Sequence, residues 1–492
     1  MDGINTVIDP DSDSTCTWRI KIKESEPAVF SYFLVLKTSM EKDIILESYD
    51  KYKSSCDLLN IKESGGDVYY LNRFITSNHT YKLMAGPFNT EKEARYFCRN
   101  FSHLNHCNIH RKCEKKGSGI IEIFDLSGDF YAEVENSLKF TPVRNEEYFE
   151  IKNFRIPVCG EEEKTRQENL FYQGGLNILI GEDRSLAASN QIPLDLYVKG
   201  VLTSEIGEQN SAEFIKSMAV VIRSHLFAKY GREHFDEEYD FCSSAHCLRY
   251  YGVKPASDKI DTILKQTDGI LLERDNNIDP AYFSYSCGGH TEQSEPGQIK
   301  NTERRHNGKF DCDSSKGLNY KLETEIDVEN WIYEKPDVFC RELNQASNIA
   351  PDIATNSFRW EVFYTRQDLE NIIKFKTGVD PGIIYEITPV KRGVSGRLNE
   401  IEILGSLKNL KIEGESNIRS ALSYTSLQSS CFIVKYEHGE DGIPLSFTLI
   451  GAGNGHGSGL CKVGAAKMAS DNKSMEVILN HYFEDSVISK KY

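Results

Sequence analysis

Between residues 234 and 247 the chain reads HFDEEYDFCSSAHC. His234, Cys242, His246 and Cys247 are borderline-soft donors, right in type and number for a tetrahedral zinc ion. The spacing is not that of a standard finger: Cys242 and Cys247 are five apart, and His246 abuts Cys247. Adjacent residues can both ligate only from a loop, because strand neighbours point to opposite faces. A buried thiol pair beside surface histidines fits the same residues.

Other stretches carry polar groups on flexible backbone. SYSCGGHTE (284–292) sets Cys287, His290 and Thr291 around Gly288 and Gly289, which allow close backbone approach. It reads as a ligand-approaching turn, as a tight turn with nothing bound, or as a catalytic Cys287–His290 pair. That pairing is unusual, because a nucleophile's base normally comes from elsewhere in the fold. GAGNGHGSG (451–459) alternates glycine around His456 and Ser458. Both nucleotide fingerprints fail there, so it is a loop that can approach a ligand and feed the positive end of a helix. Two charged residues complete the set. Glu205 ends the helical pattern YVKGVLTSEIG (197–207) just before Gly207 lets the chain turn. Arg223 lies mid-helix among apolar residues. Most glutamates so placed are solvated, whereas a buried arginine requires acceptors, which Glu205 or a substrate would supply.

With 492 residues the chain is too long for one core and implies two or three domains. At 39% hydrophobic and 27% charged it has the composition of a soluble globular protein. A net charge of −16 argues against a nucleic-acid partner, which needs a basic face. No stretch approaches the ~20 apolar residues of a membrane span. The start, MDGINTVIDPDSDSTCTW, lacks a secretory signal core, which by itself points to the cytoplasm or to a leader removed. Thirteen cysteines is an odd number, which excludes a fully paired monomeric disulfide framework. ENLFYQGG (168–175) is close to a tag-cleavage site but has its aromatic pair transposed, and reads as native strand.

The elements that must position these groups point to an α+β fold, a mixed domain of helices packed on β-sheets preceded by a small βαββαβ unit. In that unit (1–116), YFLVLKT and YKLMAGPF read as strands, while MEKDIILESYDKYKSS and NTEKEARYFCRNF read as helices. A β-rich segment (117–185) leads into a third unit (186–492). There IPLDLYVKGVLTSEIG has Pro193 at a first-turn position, and NSAEFIKSMAVVIRSHLFAKYG carries an Asn210–Glu213 capping-box pattern with Gly231 as terminator.

Taken in order, IPLDLYVKGVLTSEIG, EFIKSMAVVIRSHLFAKYG, CSSAHCLRYYGV, AYFSYSCGGHTE and GHGSGLCKVGAAKMA resemble the stage II sporulation protein D and LytB amidase-enhancer family over roughly residues 175–480. YKLMAGPFNTEKEARYF is similar to the core of sporulation-related repeats that bind denuded peptidoglycan, and an unrelated α+β unit fits it too. The resemblance implies a lytic transglycosylase that cleaves denuded glycan strands, with Glu205 as the single acid and then base. It implies substrate contacts at Arg223, Thr291, His456 and Ser458, and a structural zinc on His234, Cys242, His246 and Cys247. It also implies a cell-envelope location although no signal peptide is visible. GLCKVG stands where the family has GMSQWG, which puts activity in question. The alternatives are a non-catalytic peptidoglycan binder or amidase enhancer working with a cell-wall hydrolase, and a cytoplasmic metal-dependent enzyme.

Overall fold

Alternation along the N-terminal strands sends Leu34, Leu83 and Ala85 to one face of a four-stranded antiparallel sheet. The computed structural model describes residues 17–101, 108–142, 144, 147–158, 161–253, 258–293, 307–341 and 357–492. The sheet is ordered Leu59–Ser64, Thr80–Phe88, Val29–Ser39, Asn108–Lys115. Helices Lys42–Tyr52 and Glu91–Asn100 pack against it and bury Ile45, Ala94 and Cys98. Thr90 caps the second helix, accepting the Glu93 amide N–H. The order strand, helix, strand, strand, helix, strand is the βαββαβ arrangement read from the sequence. An extra hairpin, Asp67–Tyr70 with Arg73–Ser77, sits between its middle strands.

That hairpin couples the N-terminal unit to the rest. Val68 and Ile75 pack with Phe227, Ala228, Leu271, Ile278 and Tyr492. Asn78, 1% exposed, donates through Nδ2 to the carbonyls of Phe227 (2.7 Å) and Tyr230 (2.9 Å), and its own carbonyl accepts Arg232 Nε at 2.9 Å. Carbonyls in the last turn of a helix have no intrahelical donor, so an asparagine from another unit supplies one. The other face of the sheet meets the segment beyond that helix. Phe235 stacks on His110 at 4.8 Å between centroids, Lys82 Nζ lies 3.8 Å from the Phe235 ring centroid, and Asp236 pairs with Lys62 at 3.2 Å. Burial pushes the Lys82 ammonium down to about 8.

Strand Arg19–Glu26 leaves the N-terminal sheet and pairs with Ser118–Phe124. Glu161–Tyr172 forms a long hairpin with Phe149–Val158, so ENLFY is strand as read, while Gln173 and Gly174 break it before the next strand opens at Gly175. Helix Leu194–Glu205 follows Pro193, which occupies the cap rather than the first turn; Gly207 then turns the chain at φ +72°. Helix Ala212–Lys229 starts on Ser211, whose hydroxyl accepts the Phe214 amide N–H. The expected Asn210–Glu213 box does not form. Asn210 Nδ2 is used on Ile206 O, at the end of the preceding helix, and Glu213 accepts the Met475 amide N–H. Phe214, Met218, Val221, Ile222 and Leu226 are buried as expected, and so are most of the 18 residues, because this helix is enclosed by Leu194–Glu205, Asp258–Gln266, Ile270–Arg274 and Met475–Tyr482.

Residues 359–452 carry a core of their own. Strands Arg359–Thr365, Pro444–Ala452 and Phe432–His438 form one sheet, and Ile384–Arg392, Leu398–Gly405 and Leu410–Glu413 a second. Trp360, Leu369, Ile387, Ile401 and Phe447 cluster between them and their helices. Arg359 pairs with Ala452, so this module enters and leaves the main core at one place.

Replacing Asn78 by alanine leaves the carbonyls of Phe227 and Tyr230 without their Nδ2 donor, while the backbone carbonyl that accepts Arg232 is kept. We expect a loss of roughly 1–3 kcal/mol in denaturant unfolding, with the Ala212–Lys229 helix end losing amide protection first; unchanged stability would show that the hairpin merely rests on the helix.

Candidate functional site

Glu205 is the last residue of its helix and is 6% exposed. Its Oε2 accepts Lys462 Nζ at 2.7 Å, its backbone carbonyl accepts the same ammonium at 3.1 Å, and its Oε1 accepts the Arg249 amide N–H at 3.2 Å. Burial by itself would raise the carboxyl pKa. The Lys462 ammonium, the Arg249 charge and these hydrogen bonds outweigh it and hold the group below the usual carboxylate value. Lys462, 2% exposed, opens the helix Lys462–Ser470 and lies 5.6 Å from the ring centroids of Phe283 and Tyr285. It occupies the position where the GMSQWG motif has glutamine. In the sequence that substitution only puts activity in question; the charge it sets against Glu205 is visible in the fold alone.

Arg223 does not pair with Glu205. It is fully buried, donates through Nη1 to Thr267 O at 2.9 Å and has Asp195 at 3.9 Å. The two glycine-bearing stretches meet each other. Phe283 and Ser284 pair in parallel with Leu460 and Cys461, Ser286 bridges Asn454, and Glu292 bridges Ser458. Thr291 Oγ1 accepts the Lys309 amide N–H at 3.0 Å, and His456 Nδ1 accepts the Ser458 amide N–H at 3.1 Å. The close backbone approach read into the alternate glycines is used by the protein itself. A Cβ at Gly457 would stand 2.4 Å from the Arg397 guanidinium, and one at Gly459 2.1 Å from Tyr282 O. Nor is the following helix start open, since Cys461 Sγ accepts the Gly464 amide N–H. Cys287 and His290 form no catalytic pair. The thiol donates to Asp311 Oδ2 at 3.2 Å, while His290 Nδ1 lies 2.7 Å from Thr291 O.

His234, Cys242, His246 and Cys247 converge, with all four donor atoms within 4.8 Å of one another. His234 Nε2 is 3.2 Å from Cys247 Sγ, and His246 Nδ1 is 3.7 and 3.5 Å from the sulfurs of Cys242 and Cys247. A tetrahedral ion with sulfur at ~2.3 Å and nitrogen at ~2.05 Å sets an S–N edge of about 3.6 Å, so this donor set fits a four-coordinate soft cation. The loop geometry lets adjacent His246 and Cys247 both face the centre. Cys247 also lies two residues before Arg249, so a cation here would anchor the amide that holds Glu205. A crevice of about 450 Å³ opens beside this loop, lined in part by Lys62, Glu63, Tyr230, Tyr239 and Asp240.

Residues 182–273 match the stage II sporulation protein family, and residues 319–459 match a family described as a domain of unknown function (DUF8618). The first match spans Glu205, Arg223 and the His/Cys loop and is consistent with a cell-wall-related function; the second spans the module with its own core. No curated protein matches the chain. Among the described residues, no helix is long and apolar enough to cross a membrane.

Two outcomes are expected. A Cys242→Ser, Cys247→Ser double variant should lose one equivalent of divalent metal by elemental analysis; unchanged content would place the metal elsewhere. Burial pushes both His225 and His290 down to about 4, so each stays neutral in the fold and takes up a proton on unfolding. Depressed imidazole values mean that stability is highest above the ordinary pKa near 6.5 and falls with pH towards 4, by roughly 2 kcal/mol per histidine at pH 5. Denaturant unfolding at pH 7 and pH 5 checks this, and equal stabilities would contradict it.

Proposed function

We propose that this chain is a cell-envelope protein that grips peptidoglycan glycan strands without cutting them, and that Glu205 serves as the counter-ion of Lys462. The observation that carries this reading is the ion pair. A lytic transglycosylase protonates the glycosidic oxygen from one carboxylic acid, which then removes the proton of the sugar's own 6-hydroxyl. That acid must begin protonated, which an apolar pocket favours and an adjacent cation opposes. Glu205 has an ammonium at 2.7 Å and a backbone N–H on its other oxygen. It is therefore poised as a carboxylate, with no proton to give.

The match over 182–273 supports the cell-wall setting. The crevice beside the metal loop supports binding, because tyrosine faces next to carboxylates suit sugar rings and their hydroxyls. The His234, Cys242, His246 and Cys247 set supports a structural zinc: four protein ligands leave no open position for chemistry. A binder of this kind would act through a partner, such as an amidase or another cell-wall hydrolase.

The second reading is the lytic transglycosylase with Glu205 as acid and then base. It is favoured by the place of Glu205 at a helix end within the matched segment, with some solvent access kept. Denuded glycan strands separate the two. We expect the wild type to co-sediment with them and release no anhydromuramyl ends, and Tyr230→Ala to lower retention several-fold. Anhydromuramyl product from wild type that disappears in Glu205→Gln would overturn the binding reading and establish the transglycosylase.

A further inference from the structure

We propose that Cys287, Asp311, Cys340 and Cys461 form a second metal site, which holds one structural zinc ion in the core. The four donor atoms lie within 4.8 Å of one another, and all four residues are buried. Cys287 Sγ is 3.6 Å from Cys340 Sγ and 3.2 Å from Asp311 Oδ2. A tetrahedral zinc with sulfur at ~2.3 Å and oxygen at ~2.0 Å sets edges of roughly 3.5–3.8 Å, so the set is close to the required tetrahedron. Its span leaves space for a single ion, and a sulfur-dominated tetrahedral set selects zinc over the harder divalent ions.

The surroundings are those of bound thiolates. Backbone N–H groups of Cys287 and Gly464 point at Cys461 Sγ from 3.2 and 3.4 Å, and that of Gly289 points at Cys287 Sγ from 3.4 Å. The remaining oxygen of Asp311 is oriented by Tyr482 Oη at 2.8 Å and His481 Nε2 at 3.3 Å, which is how second-layer groups hold a ligating carboxylate. Three thiolates and a carboxylate exceed the charge of a divalent ion, and two guanidinium groups lie against the same turn. Arg359 donates to Gly288 O at 3.0 Å and the buried Arg397 to Cys287 O at 3.3 Å. A disulfide would use two of the three sulfurs and leave Asp311 buried without a cation on its Oδ2 side, a costly arrangement. The ion would tie together four segments far apart in sequence. One of its ligands, Cys461, immediately precedes Lys462, so the site also anchors the ammonium that neutralises Glu205.

The test uses the full-length Cys242→Ser, Cys247→Ser variant, in which the first site has lost its sulfur ligands. We expect it to fold and retain one equivalent of zinc, the wild type holding two. Zinc X-ray absorption on this variant should show three sulfur scatterers and one oxygen. Retained zinc coordinated only by nitrogen and oxygen would overturn the proposal, as would a folded variant free of metal. So would a peptide map of the wild type showing a disulfide from Cys287 to Cys340 or Cys461. Adding Cys340→Ser should abolish the remaining zinc; because that change can also unfold the core, the spectrum on the parent variant decides.

Discussion

An ammonium group that is 2% exposed must have a carboxylate within hydrogen-bond reach, and the site is arranged around this need. Lys462 is delivered by the short strand Leu460–Cys461, and Glu205 by the end of a helix whose last turn is closed by Ile206 and Gly207. Each charge removes the penalty the other would incur. Stripping one partner from such a pair costs about 3–5 kcal/mol, because the survivor is left as a bare charge in a low-dielectric interior. The same pairing, with the Arg249 charge, holds the Glu205 carboxyl below its usual pKa, so its burial and its ionisation are set together.

The geometry of the pair depends on the interlock of two loops. Segment 283–292 runs beside segment 454–461, and Arg397 passes between them to reach the carbonyls of Cys287 and Gly455. Positive φ at Gly453, Gly455, Gly457 and Gly459 lets the loop wrap that guanidinium. Glycine is needed at Gly457 because a side chain would collide with Arg397, and at Gly459 because one would collide with the Tyr282 carbonyl. The glycine-rich stretch is therefore a packing device for an internal arginine.

A second constraint lies at the seam between units. The loop bearing His234, Cys242, His246 and Cys247 is continuous with Phe235 and Asp236, which occupy the free face of the N-terminal sheet. A cation in that loop thus bears on two contacts at once: the docking of the N-terminal unit, and the Arg249 amide that holds Glu205 Oε1. The face of the four-stranded sheet opposite its helices is engaged with its own chain. That places the accessible crevice at the edge of the seam.

Much of the architecture was legible in the sequence because it is set by short-range rules. Period-2 and period-3.6 patterns placed the βαββαβ unit and the two helices beside the site, and Gly207 and Gly231 ended helices where a positive φ was needed. The first donor cluster was visible because its four residues lie within 14 positions in a loop. The Asn210 box failed for a reason one residue wide: Asn210 was already bonded to Ile206 O, which left Ser211 to cap. Lys462 lies 257 residues from Glu205, and Cys287, Asp311, Cys340 and Cys461 come from four separate segments. On its own stretch of chain, a lysine before an alanine-rich helix looks solvent-facing, Cys340 and Cys461 look like small hydrophobes, and nothing near Cys287 in sequence points to them as its partners. Only tertiary packing decided which charges and sulfurs would share one dry interior, because the cost of burying them depends on what stands opposite, and that is not written in any local stretch.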